Sequence, residues 1–330
     1  MKALAWIGIA LPGLCAAAIA LASGCSSETS PLALGEPIVV RSASFKAGSL
    51  PGVLPASGSD AGPPPGSRVT VVDSVNNVLH AGQSGKALSG RTTDDALSIG
   101  ARFGDLGTGF WIVPTGAPDP TNPGELTWAF TYDIARDAPP GLHPLLLAAI
   151  DSNSNAGEET RLDTCITRPI PDNLNACDPT IVPPFAVLSL SWDADVDLDL
   201  VVVAPDGRVI DPKHPTTAEG VDGGAPVPNP AKDGVLDRDS NAGCTIDATR
   251  RESLVWQARP GDGDYLVYAN LFSACGQQAV RFTATLSFAE ATGADTWTLT
   301  DKLSASGELL ANDANGGAAI GLYITDFSIH

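Results

Sequence analysis

The chain has 330 residues, enough for two domains of ordinary size, and its 38 acidic and 19 basic residues give a formal net charge of −19. Nucleic acid and anionic lipid surfaces are not expected as partners, because both carry negative charge themselves. The acidity is compatible with cation binding, and equally with a role in solubility alone.

The first 24 residues have the features of a lipoprotein signal peptide. Lys2 precedes an almost wholly apolar run, which ends in Leu21-Ala22-Ser23-Gly24-Cys25. A positive start, an apolar region and small residues at the end are typical of secretory signals. The last five residues resemble the lipobox of bacterial lipoproteins, which implies lipidation of Cys25. Pro12-Gly13 disfavours an uncleaved membrane helix; a freely secreted form is the remaining alternative.

Several acyl chains on Cys25 would make a stable membrane anchor. Ser26, rather than an aspartate, follows this cysteine and favours the outer membrane. We therefore expect a cell-envelope protein attached to the membrane by lipid, on the periplasmic or the surface face. Residues 25–66 are rich in Ser, Pro, Gly and Ala, which predicts a flexible tether with one isolated strand at Ile38-Val39-Val40.

Residues 67–166 contain short β-patterned runs separated by Gly and Pro. The clearest run alternates polar residues with Leu126, Trp128, Phe130 and Tyr132. Such alternation is typical of a strand with one buried face. The pattern predicts an antiparallel sandwich of immunoglobulin-like type.

Residues 180–288 alternate more regularly and predict a second antiparallel sandwich. Two sets of apolar residues each share one parity: Leu188, Leu190, Trp192, Val196, Leu198 and Leu200, then Val280, Phe282, Ala284, Leu286 and Phe288. Residues 289–330 are predicted to be a β-rich C-terminal extension, and the sheet that it joins is left open.

The second region also resembles the bacterial pre-peptidase C-terminal domain family. The matching residues are Trp192-Asp193-Ala194-Asp195-Val196-Asp197-Leu198-Asp199-Leu200, Ala204-Pro205-Asp206-Gly207, Glu252 before Trp256, and Pro260-Gly261-Asp262-Gly263-Asp264-Tyr265-Leu266-Val267. The resemblance implies a jelly-roll-like sandwich that serves as an accessory module on secreted proteins and binds calcium in some members.

Four cysteines remain after Cys15 in the leader and Cys25: Cys165, Cys177, Cys244 and Cys275. An even number of cysteines in an exported protein predicts two disulfides. Of the three pairings, we favour Cys165–Cys177 with Cys244–Cys275, since each pair lies within one segment. Zinc is the alternative, but C-x-x-C spacings and clustered histidines do not occur.

A run of alternate acids forms the first candidate metal site. Asp193, Asp195, Asp197 and Asp199 would line one face of a single strand. Calcium would relieve their mutual repulsion, because it takes several carboxylate oxygens. An exposed acidic edge that discourages strand association is the alternative. An EF-hand is rejected, because Leu198 stands at its glycine position and Ala204 at its glutamate position.

A loop with alternate oxygen-bearing side chains forms the second candidate. It contains Asp237, Asp239 and Asn241, and its Ser-Asn-Ala-Gly sequence recurs in residues 151–157. Side chains in this order can converge on one calcium ion. The same residue types also favour tight turns without any ion.

Catalysis is not predicted, since the sequence lacks G-x-S-x-G, H-E-x-x-H and P-loop motifs and its four histidines are scattered. We expect a lipid-anchored, non-catalytic binding or adhesion module that calcium stabilises, with an unknown protein or glycan as ligand. The alternatives are a structural envelope protein without metal and an unrecognised hydrolase. Trp128 and Trp192 share a face with apolar residues and are expected in the core rather than on a glycan platform.

Overall fold

Alternating apolar residues build two β-sandwiches in succession along the chain. The computed structural model describes residues 33, 35–51, 66–73, 77–220 and 224–330. The predicted signal peptide, Cys25 and much of the predicted tether lie outside the described residues. In the described part of the chain, no helix combines the length and the apolarity needed to cross a membrane.

The first sandwich packs two sheets over one apolar core. Its strands are β1 (Ile38–Val40), β2 (Ser44–Ala47), β3 (Val69–Val72), β4 (Val78–His80), β5 (Lys86–Thr93), β6 (Ala96–Phe103), β7 (Gly109–Pro114), β8 (Glu125–Ile134), β9 (Gly141–Asp151) and β10 (Thr160–Thr167). The sheet orders are β1-β8-β5-β3 and β2-β7-β6-β9-β10-β4. Only β10 and β4 pair in parallel among these described strands. Trp128, Phe130 and Tyr132 on β8 are buried in the core, as their alternation predicted.

The first sandwich begins within the segment that we predicted to be tether. Strand β1 pairs with β8, and β2 pairs with β7. Ile38 and Val40 are buried and Val39 is exposed, so the isolated strand expected at Ile38-Val39-Val40 is an edge strand of the sandwich. A strand of 3 residues shows too little alternation to be distinguished from tether sequence.

The second sandwich packs a five-stranded sheet against a four-stranded sheet. Its strands are β11 (Ala186–Trp192), β12 (Asp197–Val203), β13 (Val209–Ile210), β14 (Gly234–Leu236), β15 (Arg251–Trp256), β16 (Gly263–Ser273), β17 (Ala279–Ala291), β18 (Trp297–Leu310) and β19 (Leu322–Ile329). The orders are β14-β15-β11-β17-β18 and β13-β12-β16-β19. Both sheets contribute side chains to one core, so the prediction of an all-β protein with packed antiparallel sheets is confirmed.

The predicted extension of residues 289–330 belongs to this second sandwich. Strand β18 pairs with β17 along the edge of one sheet, and β19 pairs with β16 in the other sheet. Strand β17 itself continues past the predicted boundary at residue 288 to Ala291. The C-terminal residues therefore complete both layers instead of extending beyond them.

The alternating run of residues 188–200 forms two strands, not one. Residues 193–196 form a bend that carries the chain from β11 in one sheet to β12 in the other. Leu190 and Leu198 nevertheless face the same core, because the two sheets lie on opposite sides of it. The buried residues before and after the bend have the same parity. Asp193 and Asp195 lie in the bend itself and belong to neither strand.

Both predicted disulfides are present. Cys165 on β10 is bonded to Cys177 in the segment between the sandwiches. Cys244 ends a short 3-10 helix, η1 (Ala242–Cys244), and is bonded to Cys275 just after β16. The second bond therefore fixes the loop after β14 against the β12–β16 sheet.

Candidate metal centre

The candidate centre lies on the outer face of the β12–β16 sheet, under a cover of loops. On β12, Leu198, Leu200 and Val202 point into the core, so Asp197 and Asp199 point to the opposite face. Segments 211–214, 242–243 and 317–320 wall a cavity of about 500 Å³ above this face. Asp197 and Asp199 are therefore buried, although they face away from the apolar core.

Three carboxylates meet at the base of this cavity. One oxygen each of Asp197, Asp199 and Asp239 lies within 4.8 Å of the others. Two oxygens that each coordinate one calcium ion at about 2.3–2.6 Å are at most about 5 Å apart. The spacing therefore suits a single cation. We call these three residues the acidic triad.

Asp199 has no hydrogen-bond or ion-pair partner among the described residues, and the charge of Lys213 across the cavity offsets its burial only in small part. Its residue is 7% exposed, it lines the cavity, and no described residue donates a hydrogen bond to it or forms an ion pair with it. Asp197 accepts one hydrogen bond, from the Gly243 backbone N–H to Oδ2 at 2.7 Å. A buried carboxylate without donors is costly, so this geometry indicates a missing positive partner.

The electrostatics of the triad agree with that geometry. Burial raises the pKa of Asp197 to about 6, reinforced by Asp239 and opposed by the Gly243 N–H. Burial also raises the pKa of Asp199 to about 7, with Asp197 and Asp239 as the next largest causes. The pKa of Asp239 is raised by burial and by Asp247. A bound divalent cation would reverse these shifts, because it favours the ionised form of every ligand.

The loop that carries Asp239 is held rigidly. Asn241 adopts a left-handed conformation with φ 63°, and its side chain donates to the Val196 carbonyl and accepts from the Asp247 N–H. The Cys244–Cys275 disulfide follows directly. Asn241 thus positions Asp239 through its own hydrogen bonds and is not placed as a ligand.

Glu252 connects β12 to the loop that carries Asp239. This fully buried residue accepts the Leu200 N–H at 2.8 Å and the Ser240 N–H at 3.1 Å. One bond fixes β12 beside Asp199, and the other fixes the loop beside Asp239. Burial, the largest cause, raises the pKa of Glu252 well above its ordinary value. The resemblance drew attention to Glu252, and the structure gives it a positioning role.

The other predicted ligands lie outside the triad. In the bend, Asp193 accepts the Arg281 N–H and Asp195 forms an ion pair with Arg250. Asp237 accepts the Ser253 N–H at 2.7 Å, and its second oxygen faces the Arg238 guanidinium.

The expectation that Asp193, Asp195, Asp197 and Asp199 line one strand face is wrong for the first two. Strand β11 ends at Trp192 and β12 begins at Asp197, so Asp193 and Asp195 lie between the strands.

The matching loop at residues 151–157 forms a turn of its own. Asp151 Oδ1 accepts the backbone N–H groups of Asn153 and Asn155, and Oδ2 accepts from the Asn155 side chain. These hydrogen bonds lower the pKa of Asp151. The turn-forming alternative therefore describes this loop.

The remaining cavity wall combines polar and apolar groups. Asn270 pairs with Asp199 across the β12–β16 ladder, and Lys213 lies 5.9 Å from the ring centre of Phe272. Sequence reasoning did not select these residues. The parity of Asn270 and Phe272 on β16 can be read from the sequence, but the pairing of β16 with β12 cannot, and Lys213 lies in the loop after β13.

The chain matches no protein-family model, and no curated protein matches it significantly. The resemblance to the pre-peptidase C-terminal domain therefore stays a prediction, and the site has to be interpreted from its own geometry.

Proposed function

We propose that this chain is a lipid-anchored protein of the bacterial cell envelope, with the outer membrane favoured, and that its second sandwich is a non-catalytic binding or adhesion module stabilised by calcium. The acidic triad holds the ion. The observation that carries the proposal is Asp199, a buried carboxylate that accepts no hydrogen bond from the described residues and faces two further carboxylates. The partner is a protein or glycan of unknown identity.

The triad suits calcium better than a softer metal. All three side chains offer carboxylate oxygens, which hard cations such as calcium prefer. Calcium takes about six to eight oxygens, so three carboxylates leave several positions for water or for oxygens of a ligand. A module that binds its partner through the ion would use these open positions.

Calcium binding should raise the stability of the second sandwich measurably. Sites on extracellular modules have dissociation constants of about 10⁻⁴–10⁻³ M. Calcium at about 10 mM, which is about 10–100 times these constants, stabilises the folded state by about 1.4–2.7 kcal/mol. In a domain of this size, that increment raises the unfolding midpoint by about 3–11 °C.

Calorimetric unfolding of the full chain in detergent tests the calcium site. The protein is stripped with EDTA and measured with and without about 10 mM calcium, and magnesium at the same concentration serves as the control ion. We expect Asp199→Asn and Asp239→Asn to remove the calcium shift. Asp193→Asn and Asp237→Asn are matched controls from the same acidic segments and should retain it. An unshifted wild type, or a shift retained by Asp239→Asn, would contradict the proposal.

The anchor is tested separately at Cys25. Cells that express the chain are labelled with an alkyne fatty acid, and we expect label in the wild type and none in Cys25→Ser. Equal labelling of the two proteins would remove the lipid anchor from the proposal. Turnover of generic ester, peptide or glycoside substrates by the purified chain would instead support the hydrolase alternative.

A further inference from the structure

A second cavity lies where the two sandwiches meet. It has a volume of about 590 Å³, within the range of small-molecule sites. Residues 80–83 of the first sandwich form one wall, the connecting segment 167–174 forms another, and Arg238, Ala248, Thr249 and Arg251 of the second sandwich close it. We call it the junction cavity.

Arg251 in this cavity is a partly buried cation without a bonded partner. Its Nε is buried and has no hydrogen-bond partner, and its guanidinium forms no hydrogen bond or ion pair with any described residue. Burial is the largest influence on this group and lowers its pKa, while Asp237 and Asp247 partly oppose the shift. A desolvated guanidinium is costly unless an acceptor is bound to it.

Further donors surround Arg251. Arg238 lies on the same side of the cavity, where it also donates to Asp237 and Thr249 at 3.3 Å each. His80 lies on the opposite wall with Nδ1 bonded to Thr167. Arg168 is turned towards the second sandwich, where it donates to the Leu299 carbonyl and to Thr298. Its Nε is likewise buried without a partner.

Acceptors are scarce in the same cavity. Asp172 is the one acidic residue among the described residues that line it. Its two oxygens already accept the backbone N–H groups of Leu174 and Ala176. The junction cavity is therefore rich in donors within a chain whose net charge is −19.

We propose that the junction cavity binds an oxyanion group, a carboxylate or a phosphate, carried by a small ligand. Arg251 provides the principal contact, and Arg238 and His80 lie at the rim. A guanidinium presents a planar pair of donors that fits both oxyanions bidentately. The ligand would contact both sandwiches and their connection at once. This site does not depend on the acidic triad or on calcium.

Titration calorimetry of the full chain in detergent tests the proposal with two probes, glucuronate for a carboxylate and inorganic phosphate for a phosphate group. We expect one binding site for at least one probe, and the stronger probe identifies the oxyanion. Arg251→Gln should weaken binding about tenfold or more, the size expected for the loss of a charge-assisted hydrogen bond. Arg251→Lys should bind with intermediate affinity, because it keeps the charge but loses the planar pair of donors.

Arg238→Gln provides a second variant at a more exposed position and should weaken binding several-fold even if Arg251→Gln fails to fold. Arg281→Gln is the matched control, since Arg281 is an exposed arginine paired with Glu308 on the second sandwich. It should bind like the wild type. Asp199→Asn should also bind like the wild type, which separates this site from the metal centre. Absence of binding by both probes, or unchanged affinity in Arg251→Gln or Arg238→Gln, would overturn the proposal.

Discussion

Asp199→Asn should stabilise the metal-free protein while removing its response to calcium. The asparagine keeps the shape of the side chain and removes a buried charge to which no described residue offers a hydrogen bond or an ion pair. A residue that only supported the fold would behave in the opposite way, since its replacement would lower stability. The sign of this change therefore distinguishes a ligand position from a structural one.

The magnitude follows from the pKa of Asp199, which is raised from an ordinary value of 3.8 to about 7, mainly by burial. At about 1.4 kcal/mol for each pH unit, ionisation of this carboxyl destabilises the metal-free fold by about 4 kcal/mol at pH 8. The buried amide of asparagine offsets part of that gain. We expect the free energy of unfolding to rise by about 2–4 kcal/mol in the variant.

The pH dependence has a definite sign. The folded pKa of Asp199 exceeds the unfolded value, so the folded state binds more protons between pH 3.8 and about 7. Stability of the metal-free wild type should therefore fall as the pH rises through this window. For Asp199 alone, the loss between pH 5 and pH 8 is about 2–3 kcal/mol. Calcium stabilisation should grow over the same range, because the ligands must be ionised.

Calorimetry of EDTA-treated protein at pH 5 and pH 8 is the assay, because it separates the transitions of two domains. Asp193→Asn is the control: Asp193 lies outside the triad and accepts a backbone N–H. It should change stability by no more than about 0.5 kcal/mol. The reasoning is refuted if Asp199→Asn is less stable than the wild type at pH 8, or if the stability of the metal-free wild type does not fall between pH 5 and pH 8.

Three further predictions concern the support of the site and the core, and urea denaturation measures each. Replacement of Cys244 and Cys275 by serine opens a bond between residues 31 positions apart, and should cost about 3.7 kcal/mol; a loss below about 1 kcal/mol would contradict the bracing role. Glu252→Ala leaves two buried backbone N–H groups without an acceptor, and should cost about 2–5 kcal/mol; unchanged stability would exclude the positioning role. Leu198→Ala creates a cavity in the core of the second sandwich and should cost about 2–5 kcal/mol, whereas the exposed Leu310→Ala should be nearly neutral.

Much of the fold was predictable because strand burial has a period of two. Trp128, Phe130 and Tyr132 share a face in any strand that contains them, whatever that strand pairs with. The parity of Leu190 and Leu198 likewise placed both in one core. Local sequence could not reveal that the chain changes sheets between these two residues. Strands β1 and β19 were expected as an isolated strand and as part of an extension, but the sheets that they join could not be predicted, since their partners lie far away in the sequence.

The sequence by itself determined the all-β class and the buried faces of the main strands, and it favoured the cysteine pairing that the structure confirms. Each depends on local alternation or on short separation along the chain. Only the tertiary structure decided which acids form the site. Asp199 and Asp239 are forty residues apart in the sequence. The change of sheet after Trp192, the Glu252 hydrogen bonds and the Cys244–Cys275 disulfide bring them together. The acidic triad therefore combines Asp197 and Asp199 of the first predicted site with Asp239 of the second. Sequence spacing could not predict this, because a carboxylate cluster is defined by distances in space.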